Sequence, residues 1–221
     1  MSILNNIFII TSTINTPWGH ISISDRYLQT LETIDSIKKK DPAAIIILID
    51  NSSFPLENKW YNELSKNVTF FIDIGSRTPC KELNNSGAKG AGEAYMLLVA
   101  LDLIILNKLA PKRIFKISGR YKLSDQFDIN FYNNLHDCYV FKTRHTNDYN
   151  AISLHTRLWS VCGTLIDNMG NLISKSFYEH LVQGITIEEA MFMYIDKSKL
   201  MEVESIHCEG IIAPWNMLIN D

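Results

Sequence analysis

The run from Ala43 to Ile49 is apolar at every position and stops abruptly at Asp50-Asn51-Ser52-Ser53. A strand with one wet face alternates apolar and polar residues, so a strand with no polar face must be covered on both sides. That requirement points to a parallel sheet layered between helices. Three further segments read as strands: Ile7-Phe-Ile-Ile-Thr-Ser-Thr, Val68-Thr-Phe-Phe-Ile, and Arg113-Ile-Phe-Lys-Ile, the last running into Ser118-Gly119-Arg120.

The intervening segments carry helical spacing. Ser24-Asp25 stands ahead of Leu28, Leu31, Ile34 and Ile37, and the stretch closes on Lys38, Lys39 and Lys40, which suit the negative end of a helix dipole. Glu57 to Ser65 reads as a short helix with Trp60 and Leu64 inward. A glycine-bearing loop, Asn84 to Gly90, opens a long apolar helix from about Ala91 to Leu109, and Pro111 stops it. Strands and helices alternating at these lengths mean βαβ units. Right-handed crossovers then gather the C-terminal ends of the strands, and with them the binding crevice, on one edge.

After Asp128 the pattern loosens. Cys138 to Arg144 and Leu158 to Ile166 read as strands, Ser176 to Gln183 and Ile187 to Ile195 as helices, Met201 to His207 as a strand, and Gly210 to Trp215 as a closing loop. No linker, repeat or low-complexity tract interrupts the chain. Residues 1–221 are therefore expected to form one continuous α/β domain, a Rossmann-type, mostly parallel sheet flanked by helices.

Composition removes several function classes. A 46% hydrophobic and 20% charged chain is not disordered, and 221 residues suffice for a core. The net charge of −3 argues against a duplex nucleic-acid binder. Cys80, Cys138, Cys162 and Cys208 are widely spaced with no CxxC pair, which gives no support to a zinc site or a disulfide framework. The N-terminus has no basic region or cleavage site of a secretory signal. Ala94 to Leu106, interrupted by Asp102, is shorter than the roughly 17–25 residues of a membrane span. The expectation is a cytoplasmic protein with reduced thiols and no transmembrane segment.

Four strand tips carry polar groups: Thr11-Ser12-Thr13 with Asn15, Asp50-Asn51-Ser52-Ser53, Asp73 with Gly75 and Ser76, and Ser118-Gly119-Arg120. Lys89-Gly90-Ala91-Gly92-Glu93 enters a helix, where free N–H groups and the dipole favour an anion. It matches neither the P-loop pattern nor the dinucleotide fingerprint.

In that order, the Thr11–Asn15 tip, the Ile45–Ser53 strand and tip, and the Asn85-Ser-Gly-Ala-Lys-Gly loop before a long helix resemble the nucleotide-sugar-binding half of a GT-A glycosyltransferase. The resemblance covers about residues 5–125 and leaves 126–221 as the acceptor-side half; the whole looks like the small glycosyltransferases of bacterial and large-virus polysaccharide clusters. It implies a hexosyl- or deoxyhexosyltransferase that moves a sugar from a nucleoside-diphosphate donor to a hydroxyl of a glycan or glycoconjugate. By resemblance Thr11, Thr13, Asn15, Asn51 and Ser52 line the donor pocket, Asp50 accepts from a base N–H, and Lys89 with Gly90 meets the diphosphate. Where the family bears Asp-x-Asp for Mg²⁺ or Mn²⁺, this chain has Ser118-Gly119-Arg120. A hard cation needs oxygen ligands. Arg120, helped by Lys116 or Lys122, is therefore expected to neutralise the leaving diphosphate, with no metal ligands assigned and metal-independent transfer favoured. Asp73, Asp125 and His207 remain as candidates for a displaced ligand.

In the second half, Glu188-Glu189 opens a helix, and a carboxylate there is a candidate base for an acceptor hydroxyl, consistent with an inverting reaction. The same residues also suit the helix dipole, and spacing does not choose between them. Arg144, in Thr143-Arg144-His145, and His207 are candidate acceptor or phosphate contacts, and Trp18, Trp159 and Trp215 are candidate sugar-stacking groups or core residues. Two alternatives stand beside this reading: a sugar-phosphate nucleotidyltransferase, whose glycine- and arginine-rich signature is not visible after Thr11, and a non-catalytic nucleotide- or glycan-binding domain. Oligomeric state is left open.

Overall fold

The computed structural model describes residues 5–16, 20–85, 89–147, 150–212 and 217–221. Its centre is a seven-stranded sheet in the order β10-β6-β9-β4-β1-β2-β3. The strands are β1 (Ile7–Ser12), β2 (Ile45–Asp50), β3 (Phe70–Asp73), β4 (Arg113–Ser118), β6 (Tyr139–Lys142), β9 (Leu158–Cys162) and β10 (Leu200–Val203). β1, β2, β3 and β4 are mutually parallel and β10 is parallel to β6, while β9 runs against both β4 and β6. Only β9 is reversed. The C-terminal tips of the other strands, and the N-terminal end of β9, therefore share one edge.

Both faces are covered, as the unbroken apolar strands require. One face packs Ile7, Ile9, Ile47, Ile49, Ile114 and Trp159 against α4 (Lys89–Leu106), α6 (Ile166–Gln183) and α7 (Ile187–Tyr194). The other packs Phe8, Ile10, Leu48, Phe115 and Ile117 against α1 (Ile23–Lys40) and α2 (Asn58–Asn67). A small sheet covers the rest of that face, in the order β12-β11-β5, from β5 (Tyr121–Leu123), β11 (Cys208–Ile212) and β12 (Met217–Asn220). Phe8 and Phe115 stack on adjacent strands at 4.5 Å. α1 starts two residues before the expected Ser24: the N-cap is Ser22, whose hydroxyl accepts from the Asp25 N–H, and the three lysines close the last turn as expected.

Several boundaries differ from the sequence expectation. α3 (Thr78–Asn85) takes in Asn84 and Asn85, expected to open a loop. β11 pairs antiparallel with β12 where a closing loop was expected from Gly210, the part of that loop over 213–215 lying outside the described residues. β9 stops at Cys162 and α6 begins at Ile166, so the expected strand to Ile166 is cut short. The cause is Gly163, where a Cβ would stand 1.9 Å from the Pro111 carbonyl oxygen. Only glycine permits that approach, and the chain turns there. α4 ends earlier than expected, three residues short of Leu109, with Lys108 in the left-handed region at φ 52°. Among the described residues no helix is long and apolar enough to cross a membrane. Trp18 and Trp215 lie outside the described residues, and Trp159 is core.

Gly163→Ala tests the tight turn. Forcing a methyl into a packed backbone contact is expected to cost about 1–3 kcal/mol, and a urea midpoint shifted down with an unchanged slope checks it.

Candidate functional site

Two constellations occupy the C-terminal edge, one on each face of the sheet. On the α1 face, Thr11, Ser12, Thr13, Ile14, Arg26, Thr30, Gly119 and Arg120 line a narrow cleft. The Gly119 N–H donates to the Thr11 carbonyl at 2.8 Å, and the Thr30 hydroxyl reaches the Gly119 carbonyl at 3.3 Å. A Cβ on Gly119 would meet Ser12 and Thr30 at 3.2 Å, so the turn is pressed closely onto β1 and α1. Arg26 donates to the carbonyls of Thr13 and Ile21. Arg120 lies beside the Tyr121 ring, and its Nε is buried with no hydrogen-bond partner among the described residues. Burial lowers the Arg26 pKa, the charge of Arg120 lowers it further, and Asp50 opposes both. The cleft thus holds two guanidiniums that repel each other. Sequence reasoning missed Arg26 and Thr30; their position in the first turns of the helix after β1 was the available signal.

Asp50 is not open to a base. It is fully buried, with one oxygen accepting from the Ser12 hydroxyl at 2.6 Å and the Ile14 N–H at 3.1 Å, the other from the Ser52 N–H at 2.9 Å. Burial pushes its carboxyl pKa up, and these hydrogen bonds hold it back. The Ser52 hydroxyl completes the knot by accepting from the N–H groups of Ile14 and Asn15. Asn15 donates onward to the Pro55 carbonyl and Asn51 to that of Ser12. Asp50, Asn15, Asn51 and Ser52 therefore brace the tips of β1 and β2, and the expected base contact by Asp50 is corrected: its acceptor capacity is consumed inside the fold.

On the α4 face, Lys116 is completely buried and pairs with Glu93. Its ammonium also donates to the Ser118 hydroxyl at 2.8 Å and the Thr156 carbonyl at 2.6 Å. The Thr156 hydroxyl donates to Glu188 at 2.9 Å, and the Leu154 N–H to the Glu188 carbonyl. Ser118, Lys116, Glu93, Thr156 and Glu188 form one polar chain along the rim. Lys116 consequently does not assist Arg120: its ammonium is committed on the α4 face, and β4 ends at Ser118, so the turn at Gly119 carries Arg120 to the cleft on the other face. Lys122 is exposed on β5 opposite Glu209. The Glu189 N–H is capped by the Thr186 hydroxyl, while Glu188 joins the rim chain. Lys89 begins α4, and a Cβ on Gly90 would stand 2.9 Å from Ile187 and 3.3 Å from His180. The close approach that Gly90 allows is to α6 and α7, not to an open crevice.

The remaining candidates are dispersed. Arg144 is held by Glu202 and lies over Phe192. His207 has φ 54° and meets the Ser205 hydroxyl at 3.0 Å. Asp125 pairs with Lys39 on the surface, and Asp73 accepts from the Gly75 N–H. Among the described residues no three His, Cys, Asp or Glu side chains stand together as a metal site.

A central, mostly parallel sheet with polar tips on one edge and a reversed strand in its second half defines the GT-A-like α/β fold. Solved structures with this arrangement include glycosyltransferases. The chain superposes on GlyE of Streptococcus pneumoniae TIGR4 with a TM-score of 0.51 and 9% identity, covering 91% of this chain and 45% of that one. Against the mannosyltransferase Ktr4p of S. cerevisiae the TM-score is 0.56 at 8% identity, covering 90% and 68%. Against core-mannan synthase A of Aspergillus fumigatus, in its Mn/GDP form, it is 0.56 at 7%, covering 91% and 73%. The chain thus spans less than half the length of GlyE. No protein-family model matches it, and no curated protein matches it by sequence.

The buried ion pair makes an asymmetric prediction. Glu93→Ala strands a buried ammonium and is expected to cost about 3 kcal/mol, whereas Lys116→Met removes the charge and leaves a part-exposed carboxylate at less than half that cost. Chemical denaturation of the two variants compares them directly.

Proposed function

We propose that this chain is a glycosyltransferase that moves a sugar from a nucleoside-diphosphate sugar to a hydroxyl of a glycan or glycoconjugate. The observation that carries the reading is the pair of guanidiniums, Arg26 and Arg120, at a cleft by the strand tips with no acidic residue among the described residues of its lining. A diphosphate relieves their repulsion and supplies the partner that the buried Arg120 Nε lacks. The fold shared with GlyE, the mannosyltransferase Ktr4p and core-mannan synthase A supports the same assignment.

A divalent cation does not fit this donor set. Hard ions take carboxylate and carbonyl oxygens, but here the position after β4 presents a guanidinium, and Asp50, the carboxylate at the tip of β2, is sealed. Charge on the leaving diphosphate is neutralised by Arg120 and Arg26 instead. As the bond between the sugar's anomeric carbon and the diphosphate oxygen breaks, the acceptor oxygen attacks from the opposite side and configuration inverts. Its proton passes to Glu188, the glutamate that accepts the Thr156 hydroxyl. Glu189 serves the first turn of α7.

Calorimetry with UDP, GDP and CDP is expected to find one preferred diphosphate, bound equally well with Mn²⁺ and with a chelator. Arg120→Ala should weaken it about tenfold or more, the worth of one charge-assisted hydrogen bond. Transfer or slow donor hydrolysis should be lost in Glu188→Gln and kept in Glu189→Gln. Preference for a triphosphate with an absolute Mn²⁺ requirement would overturn the assignment in favour of nucleotidyl transfer.

A further inference from the structure

A third group of charges lies outside both constellations, on the hairpin between β6 and β9. The hairpin contains β7 (His145–Thr146) paired with β8 (Ile152–Ser153), and returns through His155 and Arg157. The rings of His145 and His155 stack at 4.2 Å with planes 22° apart. Arg157 is anchored by its backbone, whose carbonyl accepts the Ser118 N–H at 3.0 Å. This places the group directly beside the tip of β4. The Arg157 guanidinium has no hydrogen bond or ion pair among the described residues, although its charge is felt at His155 and at Cys208.

The local charge is unbalanced. Facing His155 are His145 from β7, Lys142 from the end of β6, Arg157 from its own segment, and Asp221 after β12. Asp221 is the single anion of this set, and it is spent: its carboxylate pairs with Lys142 at 2.5 Å, with its side chain only 3% exposed. Arg157 remains as the excess cation beside two imidazoles, one exposed and one half-buried. Burial, His145, Arg157 and Lys142 together push the His155 pKa down to about 4, so its ring is neutral at ordinary pH. An incoming anion meets an uncommitted guanidinium and a ring that gains a second N–H donor on protonation.

We propose that His145, His155 and Arg157 form a binding site for an anionic group on the acceptor, a phosphate, sulfate or carboxylate carried by the glycan. The word acceptor rests on the glycosyltransferase reading; the anion site rests on the charges of the hairpin. Its position beside Ser118 sets the anionic group next to the donor, so the acceptor hydroxyl is oriented by a charge on its own molecule. An anion in contact with His155 favours the imidazolium, so it binds more tightly as pH falls towards about 4.

The test reads His155 by NMR in the full chain, with sulfate as the probe because its charge is constant over this pH range. Saturating sulfate is expected to raise the His155 midpoint by about one unit or more, the usual effect of an adjacent opposite charge. Arg157→Gln should abolish that shift, and Arg120→Ala should retain it. Methyl glucuronide, run against neutral methyl glucoside, separates the sources. A response to glucuronide indicates an acidic sugar, and a response to sulfate without one indicates a phosphate- or sulfate-bearing group. A His155 midpoint unmoved by either anion, or moved equally in Arg157→Gln, overturns the proposal. Failure of every nucleoside diphosphate to bind would sink the glycosyltransferase reading and leave the sulfate result standing.

Discussion

A single ammonium organises the working edge of this molecule. Lys116 sits in the central strand of an apolar sheet with no exposure to water, a position that is tolerable only if its charge is neutralised and its protons are all placed. Glu93 supplies the charge, and Ser118 and Thr156 take hydrogen bonds. Those partners come from the second turn of α4, the tip of β4 and the segment leading into β9. Satisfying one buried cation thus fixes where the long helix enters and where the second half of the chain returns to the first. Glu188 is drawn to the rim through Thr156 as part of the same arrangement.

On the opposite face the organising group is an anion, and it is hidden. Asp50 spends its oxygens on Ser12, Ile14 and Ser52, so the loops after β1 and β2 are locked together from within. With that carboxylate withdrawn, the lining of the neighbouring cleft is left cationic. Rigidity and charge polarity of the cleft therefore have a common origin. The acid that holds the walls in place contributes least to what the cavity presents to a ligand.

Much of this was legible in the chain. The unbroken apolar run ending at Asp50, the helical spacing before the lysines and the long apolar stretch after Gly90 each follow from local rules, and they correspond to β2, α1 and α4. Strand tips could be named as the site because parallel strands leave no other common edge. What could not be read was which face each side chain takes and which neighbour claims it. Lys116 and Arg120 are four residues apart and look like partners, yet one is sealed against Glu93 and the other borders the cleft. Gly90 looked like a cradle for phosphate, but the atoms it admits belong to Ile187 and His180. The short strands after Asp128 were hardest, since their pairing is decided by contacts distant in sequence.

The one reversed strand has a consequence for how such a protein can diversify. Because β9 enters at the edge where β6 leaves, the hairpin joining them begins and ends on the same rim. Apart from Leu154, which is core, and Thr156 and Arg157, which are tied to Lys116, Glu188 and Ser118, its length and residues can drift without shifting any register of the core, while the grip on the donor stays as it is. Selection therefore has an independent dial, turned by substitutions in its remaining residues, for re-aiming one chemistry at new recipients.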